Sequence, residues 1–252
     1  MMPQAAALPR RFGLIGCGRI GRPIVDAWLA GELPGWTLGG VLTRANREFG
    51  TLRAVGDVDT FLASGYDLII ECAGPGALAE HGVRALRHAD VWSTSSAALA
   101  DTSLFQALLD AGGTAGHRLR IVGGAIAGLD GVAMCSVDPD ALLHLDVDLP
   151  PAAGPRAQVF KGTVRDAARR YPDSVNVAVA AALALAGPGL DRSQITLSRP
   201  GPVSRHRLAL TVASRHANLQ AVVEPRLGPG SHPVAACLIA NLRRELQTIW
   251  VG

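Results

Sequence analysis

The sequence predicts an α/β protein: an N-terminal parallel, doubly wound sheet, followed by a smaller α+β domain whose sheet is mostly antiparallel. Three observations predict this. Apolar, strand-like runs alternate with helix-compatible segments as far as Val122, the pattern of a parallel sheet. The first run, Phe12-Gly-Leu-Ile15, ends in Gly16-x-Gly18-x-x-Gly21 and leads straight into a helix-compatible segment. Beyond Gly124 the pattern changes to an amphipathic strand over 143–149 and, after two helices, three successive candidate antiparallel strands. The expected boundaries are 1–124 for the first domain, with 233–252 packing back on it, and 125–232 for the second.

Length and composition bound the function. A chain of 252 residues, 48% hydrophobic, can bury the core of one large or two modest domains. A net charge of +3 with no run of lysines or arginines gives no reason to expect nucleic acid as a partner. Cys17, Cys72, Cys135 and Cys237 lie far apart, without a CxxC or Cys/His cluster. They read as reduced thiols of a cytoplasmic protein rather than zinc ligands. Residues 1–9 lack the charged start and long apolar core of a signal peptide. The apolar run 175–185 is too short to span a bilayer and reads as a core helix, so no membrane partner is expected.

The glycine turn carries the first functional expectation. Gly16 permits a tight turn, Gly18 lets the backbone approach a pyrophosphate, and Gly21 lets the helix pack close on the strand. The helix expected over 22–30 then offers free N–H groups and its positive dipole end to the phosphates. Pro23 falls in its first turn, where a missing N–H costs nothing. Arg19 and Ile20 complete the turn and are counted with the glycines as cofactor contacts. A glycine-rich turn without ligand is the alternative; the strand before it and the helix after it favour a dinucleotide, NADP or NAD.

A second strand is expected over 36–43, ending at Arg44. An acid at this position would bond the ribose of NAD and repel the 2′-phosphate of NADP. The sequence offers Thr43, Arg44, Ala45 and Asn46, with no acid until Glu48, so NADP should be accepted as well as NAD. A merely solvated Arg44 is the competing reading. The run 67–72 is a third strand, and Ala73-Gly-Pro-Gly76 turns into a helix reaching about 88. Residues 90–93 form a strand, 94–98 a small polar turn, 103–111 a helix and 119–122 a strand. Ligands bind at the carboxyl ends of such strands. That places Gly16–Gly21, Arg44, 72–74 with Ala73, 95–98 with Ser95, and 123–125 with Ala125 on one rim.

In the second half, 125–137 reads as a helix leaving the first domain and 143–149 as an amphipathic strand. Residues 150–155 are a loop, and Val159-Phe160 begins or ends a short strand. Two helices, 162–170 and 175–186, flank Tyr171-Pro-Asp173. Three antiparallel strands are expected at 194–198, 204–213 and 218–225. A helix follows over 233–246, then a short edge strand over 248–251.

Several stretches in this order carry a resemblance: Gly16–Gly21, Asp67-Leu-Ile-Ile-Glu-Cys-Ala73, Ser95-Ser-Ala-Ala-Leu99, Gly124-Ala-Ile-Ala-Gly-Leu-Asp130, Phe160-Lys-Gly-Thr-Val-Arg-Asp-Ala-Ala168 and Tyr171-Pro-Asp-Ser-Val-Asn-Val-Ala178. His206 and a Ser231-His-Pro233 turn follow them. Across nearly the whole length the chain resembles the L-aspartate dehydrogenase family. The resemblance implies a homo-oligomer, a dimer being favoured, that reduces iminosuccinate formed from oxaloacetate and ammonia, or oxidises L-aspartate, with NAD(P)H or NAD(P). Supply of iminoaspartate to NAD biosynthesis is the pathway role it implies. By position, His206 corresponds to the family's active-site histidine, Ala125 and Asn176 to its nicotinamide-side contacts, and Gly16–Gly21 to its phosphate contacts. Ser204 stands where the family carries an asparagine, and the connection after Leu149 is short. A reductase for the imine or keto acid of a related amino acid is therefore an alternative, as is a cofactor-binding protein without turnover.

Hydride transfer belongs to the cofactor, and the protein must orient the reacting carbons and manage protons and charge. A histidine suits that task because its pKa lies near neutrality. On a strand His206 would share a face with Leu208 and Leu210, so a buried structural histidine is its competing reading. A dicarboxylic substrate needs cations or helix N-termini. Lys161 and Arg165 are the cationic candidates, because Arg205 and Arg207 would point to the face opposite His206. Ser204 and His232 complete the substrate set. His81, His88, His117, His144 and His216 lack spaced partners and read as surface or core residues. No Ser-His-Asp spacing, P-loop or HExxH occurs, and no metal is expected.

Overall fold

A computed structural model describes residues 8–44, 48–49, 52–186, 189–202, 206–226, 228 and 232–249. The apolar run at the start forms β1 (Arg10–Ile15), and the glycine turn delivers the chain into α1 (Gly21–Leu29) and β2 (Trp36–Leu42). Next come β3 (Glu48–Phe49), β4 (Leu52–Val55), α2 (Val58–Ala63), β5 (Leu68–Glu71), α3 (Pro75–Leu86) and β6 (Asp90–Ser93). A 3₁₀ turn (Ser96–Ala100), α4 (Thr102–Ala115) and β7 (Leu119–Ile121) finish the first layer. These strands make one seven-stranded sheet in the order β3-β4-β2-β1-β5-β6-β7. Its pairings are parallel except for the β3–β4 hairpin. The strand order reverses between β1 and β5, which is where a doubly wound sheet opens a crevice.

The second sheet begins after α5 (Leu129–Cys135). It contains β8 (Leu142–Asp148) and β9 (Ala157–Thr163), then, beyond α6 (Val164–Arg170), α7 (Asn176–Ala184) and α8 (Gly189–Arg192), β10 (Gln194–Arg199), β11 (Leu208–Ala213) and β12 (Asn218–Val223). Its order is β12-β11-β8-β10-β9, antiparallel except that β10 runs parallel to β8. Inward residues of β8, Leu143, Leu145 and Val147, alternate with half-buried His144 and Asp146. They pack on Val175, Ala178, Val179 and Ala182 around α7.

The last helix, α9 (Pro233–Glu245), returns to the first sheet. Its Leu238 and Leu242 are fully buried with Phe12, Ile24, Trp36 and Trp92. The Trp36 indole Nε1 donates to the Leu242 carbonyl at 2.8 Å. Fully burying a leucine stabilises by roughly 1.5–3 kcal/mol, so α9 is an energetic part of the first layer.

Several elements depart from the sequence expectation. The segment between Arg44 and Asp67, given no structure above, holds β3, β4 and α2, all too short for a periodic signal. The helix expected over 125–137 is confined to α5. The chain at Gly128 adopts φ +82°, and Ile126 N–H bonds back to the Gly123 carbonyl at 3.3 Å, so a turn precedes the helix. The strand around Val159 is seven residues long. Thr163 ends it as the N-cap of α6, its Oγ1 accepting from Asp166 N–H at 3.1 Å, so the helix starts at Val164. The four-residue α8 was not anticipated. His206 was expected inside a strand, but β11 starts at Leu208, and His206 and Arg207 precede it as irregular chain. Of the edge strand expected over 248–251, Thr248 and Ile249 form a bend, and Trp250 and Val251 lie outside the described residues. Among the described residues no helix is long and apolar enough to cross a membrane.

Candidate active site

A cleft of about 1080 Å³ runs over the carboxyl ends of β1, β2, β5 and β6 and on to the start of α7. Its centre is the glycine turn. Gly16 holds φ +93°, and a Cβ there would stand 2.7 Å from Ala73 Cβ. A Cβ on Gly21 would stand 2.4 Å from the Gly16 carbonyl oxygen, so only glycine lets α1 start this close to β1. A Cβ on Gly18 would meet nothing within 4 Å: that position faces open space. No side chain caps α1; Arg22 N–H turns back to the Gly18 carbonyl at 3.0 Å, and the helix start lies beside the open volume over Gly18. A glycine turn at a helix N-terminus under an open volume is what a pyrophosphate requires. Arg19 and Ile20 line the cleft beside it.

One end of the cleft is built by Leu42, Thr43 and Arg44 after β2 and by Gly56, Asp57 and Val58 before α2. Arg44 is exposed there. Asp57 is an acid on this rim that the sequence reading overlooked. Its carboxylate caps α2, with Thr60 N–H donating to Oδ2 at 2.7 Å, and that bond holds its carboxyl below the usual range. The cap spacing, an aspartate just before a short helix, was the available signal.

The opposite end lies over β5 and β6. Cys72, Ala73, Gly74, Thr94 and Ser95 line it, with Gly123 and Gly124 beyond β7. Beneath them sits fully buried Glu71, the last residue of β5. Glu71 Oε1 accepts from Ala73 N–H at 2.8 Å, Gly74 N–H at 3.0 Å and Ser95 Oγ at 3.0 Å, and Oε2 accepts from Ser93 Oγ at 2.5 Å. Burial pushes its carboxyl upward, while the bonds from Ser93 and Ser95 pull it back. Burial also pushes up the Cys72 thiol, which donates to the Gly16 carbonyl at 3.4 Å. Glu71 had been read only as a strand residue.

The second domain closes this end. Asn176, first residue of α7, accepts from Ala97 N–H through Oδ1 at 2.9 Å, and its carbonyl accepts from Ser96 Oγ at 2.6 Å. These two bonds pin α7 to the 3₁₀ turn and put Asn176 on the cleft wall beside Ser174 and Val177. His232, at the N-cap of α9, lines the cleft too. Its Nδ1 is buried without a partner, and burial, with Arg19 second, holds its imidazole below the ordinary value. His81, assigned no role above, also reaches the lining from α3.

The remaining sequence candidates fall elsewhere. Ala125 packs against the core of the second domain, and its neighbours Gly123 and Gly124 form the cleft wall. His206 is half-buried outside the cleft lining. Burial lowers its imidazole, and the Asp148 carboxylate opposes that shift. Asp148 is itself buried, with Oδ1 on Arg156 Nη2 at 2.5 Å and Oδ2 unpartnered. Lys161 lies exposed on edge strand β9, away from the cleft. Arg165 is committed elsewhere: Nε and Nη2 bond Asp191 at 2.5 and 2.9 Å and Nη1 bonds the Ala100 carbonyl at 2.6 Å. Neither Lys161 nor Arg165 lines the cleft. Ser204 lies outside the described residues. No group of three or more His, Cys, Asp or Glu among the described residues is placed to hold a metal ion.

A glycine cradle at the reversal of a parallel sheet, facing a second domain across a cleft long enough for an extended ligand, defines the class. This is a two-domain, nicotinamide-dinucleotide-dependent oxidoreductase. Comparison with known proteins narrows it. Residues 16–121 match the family described as homoserine dehydrogenase, NAD binding domain, and residues 125–245 match aspartate dehydrogenase, C-terminal. The chain is 34% identical over 260 residues to an L-aspartate dehydrogenase of Ruegeria pomeroyi, covering 93% of this chain and 92% of that one. It is 34% identical over 199 residues to L-aspartate dehydrogenase 1 of Bordetella pertussis, covering 75% and 76%. Among solved structures, aspartate dehydrogenase from Thermotoga maritima superposes with a TM-score of 0.77 at 20% identity, over 96% of this chain and 99% of that one. The chain belongs to the L-aspartate dehydrogenase family.

Proposed function

We propose that the protein is an NAD(P)-dependent L-aspartate dehydrogenase, interconverting L-aspartate with iminosuccinate, and through it with oxaloacetate and ammonia. The observation that carries this reading is the continuous cleft in which the phosphate turn at Gly16–Gly21 meets Ser95, Asn176 and His232 from three other segments. The family relationship supports the same substrate.

The nicotinamide supplies hydride chemistry when bound. The chain's own residues do the rest. The amides of α1, with Gly18, Arg19 and Ile20, hold the pyrophosphate. Arg44 stands where a 2′-phosphate falls, supporting use of NADP beside NAD. Asp57, on the same rim, has its carboxylate engaged in capping α2 through Thr60 N–H. Ala73, Ser95 and Asn176 shape the half of the cleft over β5 and β6, where a nicotinamide lies if the adenosine lies by Arg44. Ala125 contributes there through the Gly123–Gly124 turn it follows. His206 acts as the acid/base group, its imidazole held below the ordinary value by burial, with the Asp148 carboxylate opposing that shift. Ser204, outside the described residues, is kept as a substrate candidate from the sequence. His232 stands beside Arg19 at the start of α9, placed for a substrate carboxylate.

We also propose the division 1–124 and 125–232, with 233–252 completing the first domain; the separate cores, with Leu238 and Leu242 in the first, support it. A homodimer through the open face of the five-stranded sheet is the proposed assembly. Val222 and Val159, 55% and 37% exposed, support it. Light scattering of the purified protein tests it, and a monomer at micromolar concentration would refute it.

The test of the reaction is consumption of NADPH and NADH with oxaloacetate and ammonia, with His206→Ala measured alongside. Turnover that disappears in the variant supports both the reaction and the residue. Cofactor binding without turnover on these substrates would refute the aspartate reading.

A further inference from the structure

Glu71 has no part in the roles above, yet its setting is unusual. It closes β5 with its carboxylate wholly removed from water. A buried carboxylate ordinarily sits beside a cation, or gives up its charge. All four partners of Glu71 are neutral donors. Two are backbone N–H groups, which cannot accept a proton. Ser93 Oγ accepts from Ser95 N–H at 3.0 Å and donates its own proton to Glu71 Oε2 at 2.5 Å. That donor set solvates an anion with dipoles and leaves its charge unneutralised.

The charge lies directly behind the cleft wall. Ala73, Gly74 and Ser95 both bond the carboxylate and line the cleft, at the end away from Arg44. An oxidised nicotinamide ring is cationic, whereas a reduced one is neutral. We infer that the buried carboxylate of Glu71 is the counter-charge for the oxidised nicotinamide ring, so that it sets the protein's preference between the two redox forms of its cofactor. The inference rests on the dinucleotide reading of the cleft. Glu71 touches no ligand in this scheme; it acts from a fully buried, weakly screened position through the field it sends across one layer of backbone. Its bonds to Ala73, Gly74 and Ser95 also hold that layer in place, so charge and geometry must be separated by experiment.

Full-length wild-type, Glu71→Gln and Glu71→Asp proteins would each be titrated with oxidised and reduced cofactor, following tryptophan fluorescence, with thermal unfolding of each protein recorded beside the titrations. Glu71→Gln should weaken binding of the oxidised form on the order of tenfold and of the reduced form by less than about twofold. Glu71→Asp shortens the clamp but keeps the charge. It should retain the wild-type ratio of oxidised to reduced affinity even where both weaken. Equal weakening of both forms by Glu71→Gln would overturn the inference and leave Glu71 a clamp. A ratio altered in Glu71→Asp would overturn it as well, and is readable even if Glu71→Gln fails to fold. A wild-type protein that binds neither form would overturn the dinucleotide reading, and this inference with it.

Discussion

Replacing Gly18 with alanine separates the ligand-binding role of the glycine turn from its folding role. The added methyl meets no protein atom within 4 Å, and the backbone there is not in the left-handed region. Stability should therefore stay within about 0.5 kcal/mol of wild type. The methyl instead occupies the volume above the uncapped start of α1. A phosphate pushed off that cradle loses at least one charge-assisted hydrogen bond, worth about 1.5–3 kcal/mol. At about 1.4 kcal/mol per factor of ten, the dissociation constant for NADPH should rise roughly 10- to 150-fold. Fluorescence titration gives the affinity, and thermal unfolding gives the stability. Gly21→Ala is the contrasting control, because its Cβ would sit 2.4 Å from the Gly16 carbonyl oxygen. Overpacking of that kind costs about 1–3 kcal/mol of stability. Wild-type affinity in a folded Gly18→Ala protein would refute the assignment of this turn as the phosphate seat.

Four further outcomes are expected. Arg44→Ala should weaken NADPH about tenfold while leaving NADH nearly unchanged, as one exposed charge-assisted phosphate contact implies; equal effects on both would show that Arg44 is only solvated. The imidazoles of His206 and His232 are held below their ordinary value in the fold. The unfolded chain then binds more protons than the native one as pH falls below about 6.5. Their contribution to stability is complete above that pH and is lost as pH falls through their lower native values. Aspartate oxidation should show an acid limb below about pH 6.5 that His206→Gln abolishes, and a pH profile unchanged in the variant would remove His206 from acid/base work. Leu238→Ala, at a fully buried site in α9, should cost about 2–5 kcal/mol in equilibrium denaturation; a loss under about 1 kcal/mol would mean α9 only rests on the first layer.

The parts of the site that were legible in the sequence are those where a residue type answers a local steric need. Gly16 and Gly21 are glycine because neighbouring atoms leave no room for a Cβ, and their spacing shows that without a structure. Asn176 entered through the family resemblance, by its place in the Tyr171-Pro-Asp-Ser-Val-Asn-Val-Ala178 stretch, and the structure makes it the first residue of α7. What stayed hidden depends on distant partners. Glu71 looks like the polar end of an apolar strand, and its hydroxyl partners Ser93 and Ser95 lie 22 and 24 positions further on. Arg165 looked available for a substrate because Asp191, 26 positions away, had no sequence link to it. The strands and helix between Arg44 and Asp67 were missed because two- to six-residue elements hold too few residues to show a period. His206 was read into β11 from alternation with Leu208 and Leu210, a pattern that extended chain just outside a strand also produces.

The return of α9 to the first sheet makes synthesis order and assembly order disagree. Trp36 is made early, yet its indole waits for the carbonyl of a residue 206 positions later. While a ribosome is still extending the second domain, Phe12, Ile24, Trp36 and Trp92 lack the two leucines that cover them. The nascent first layer therefore carries a greasy, unsealed flank for most of the time the protein takes to be made. Such a flank is a target for holding chaperones and a hazard for premature association between neighbouring nascent chains. Closing a contact across so many residues also places sealing of the layer late in folding. In a pulse-chase experiment, protease resistance of the first domain should appear only after residues 233–245 have cleared the exit tunnel.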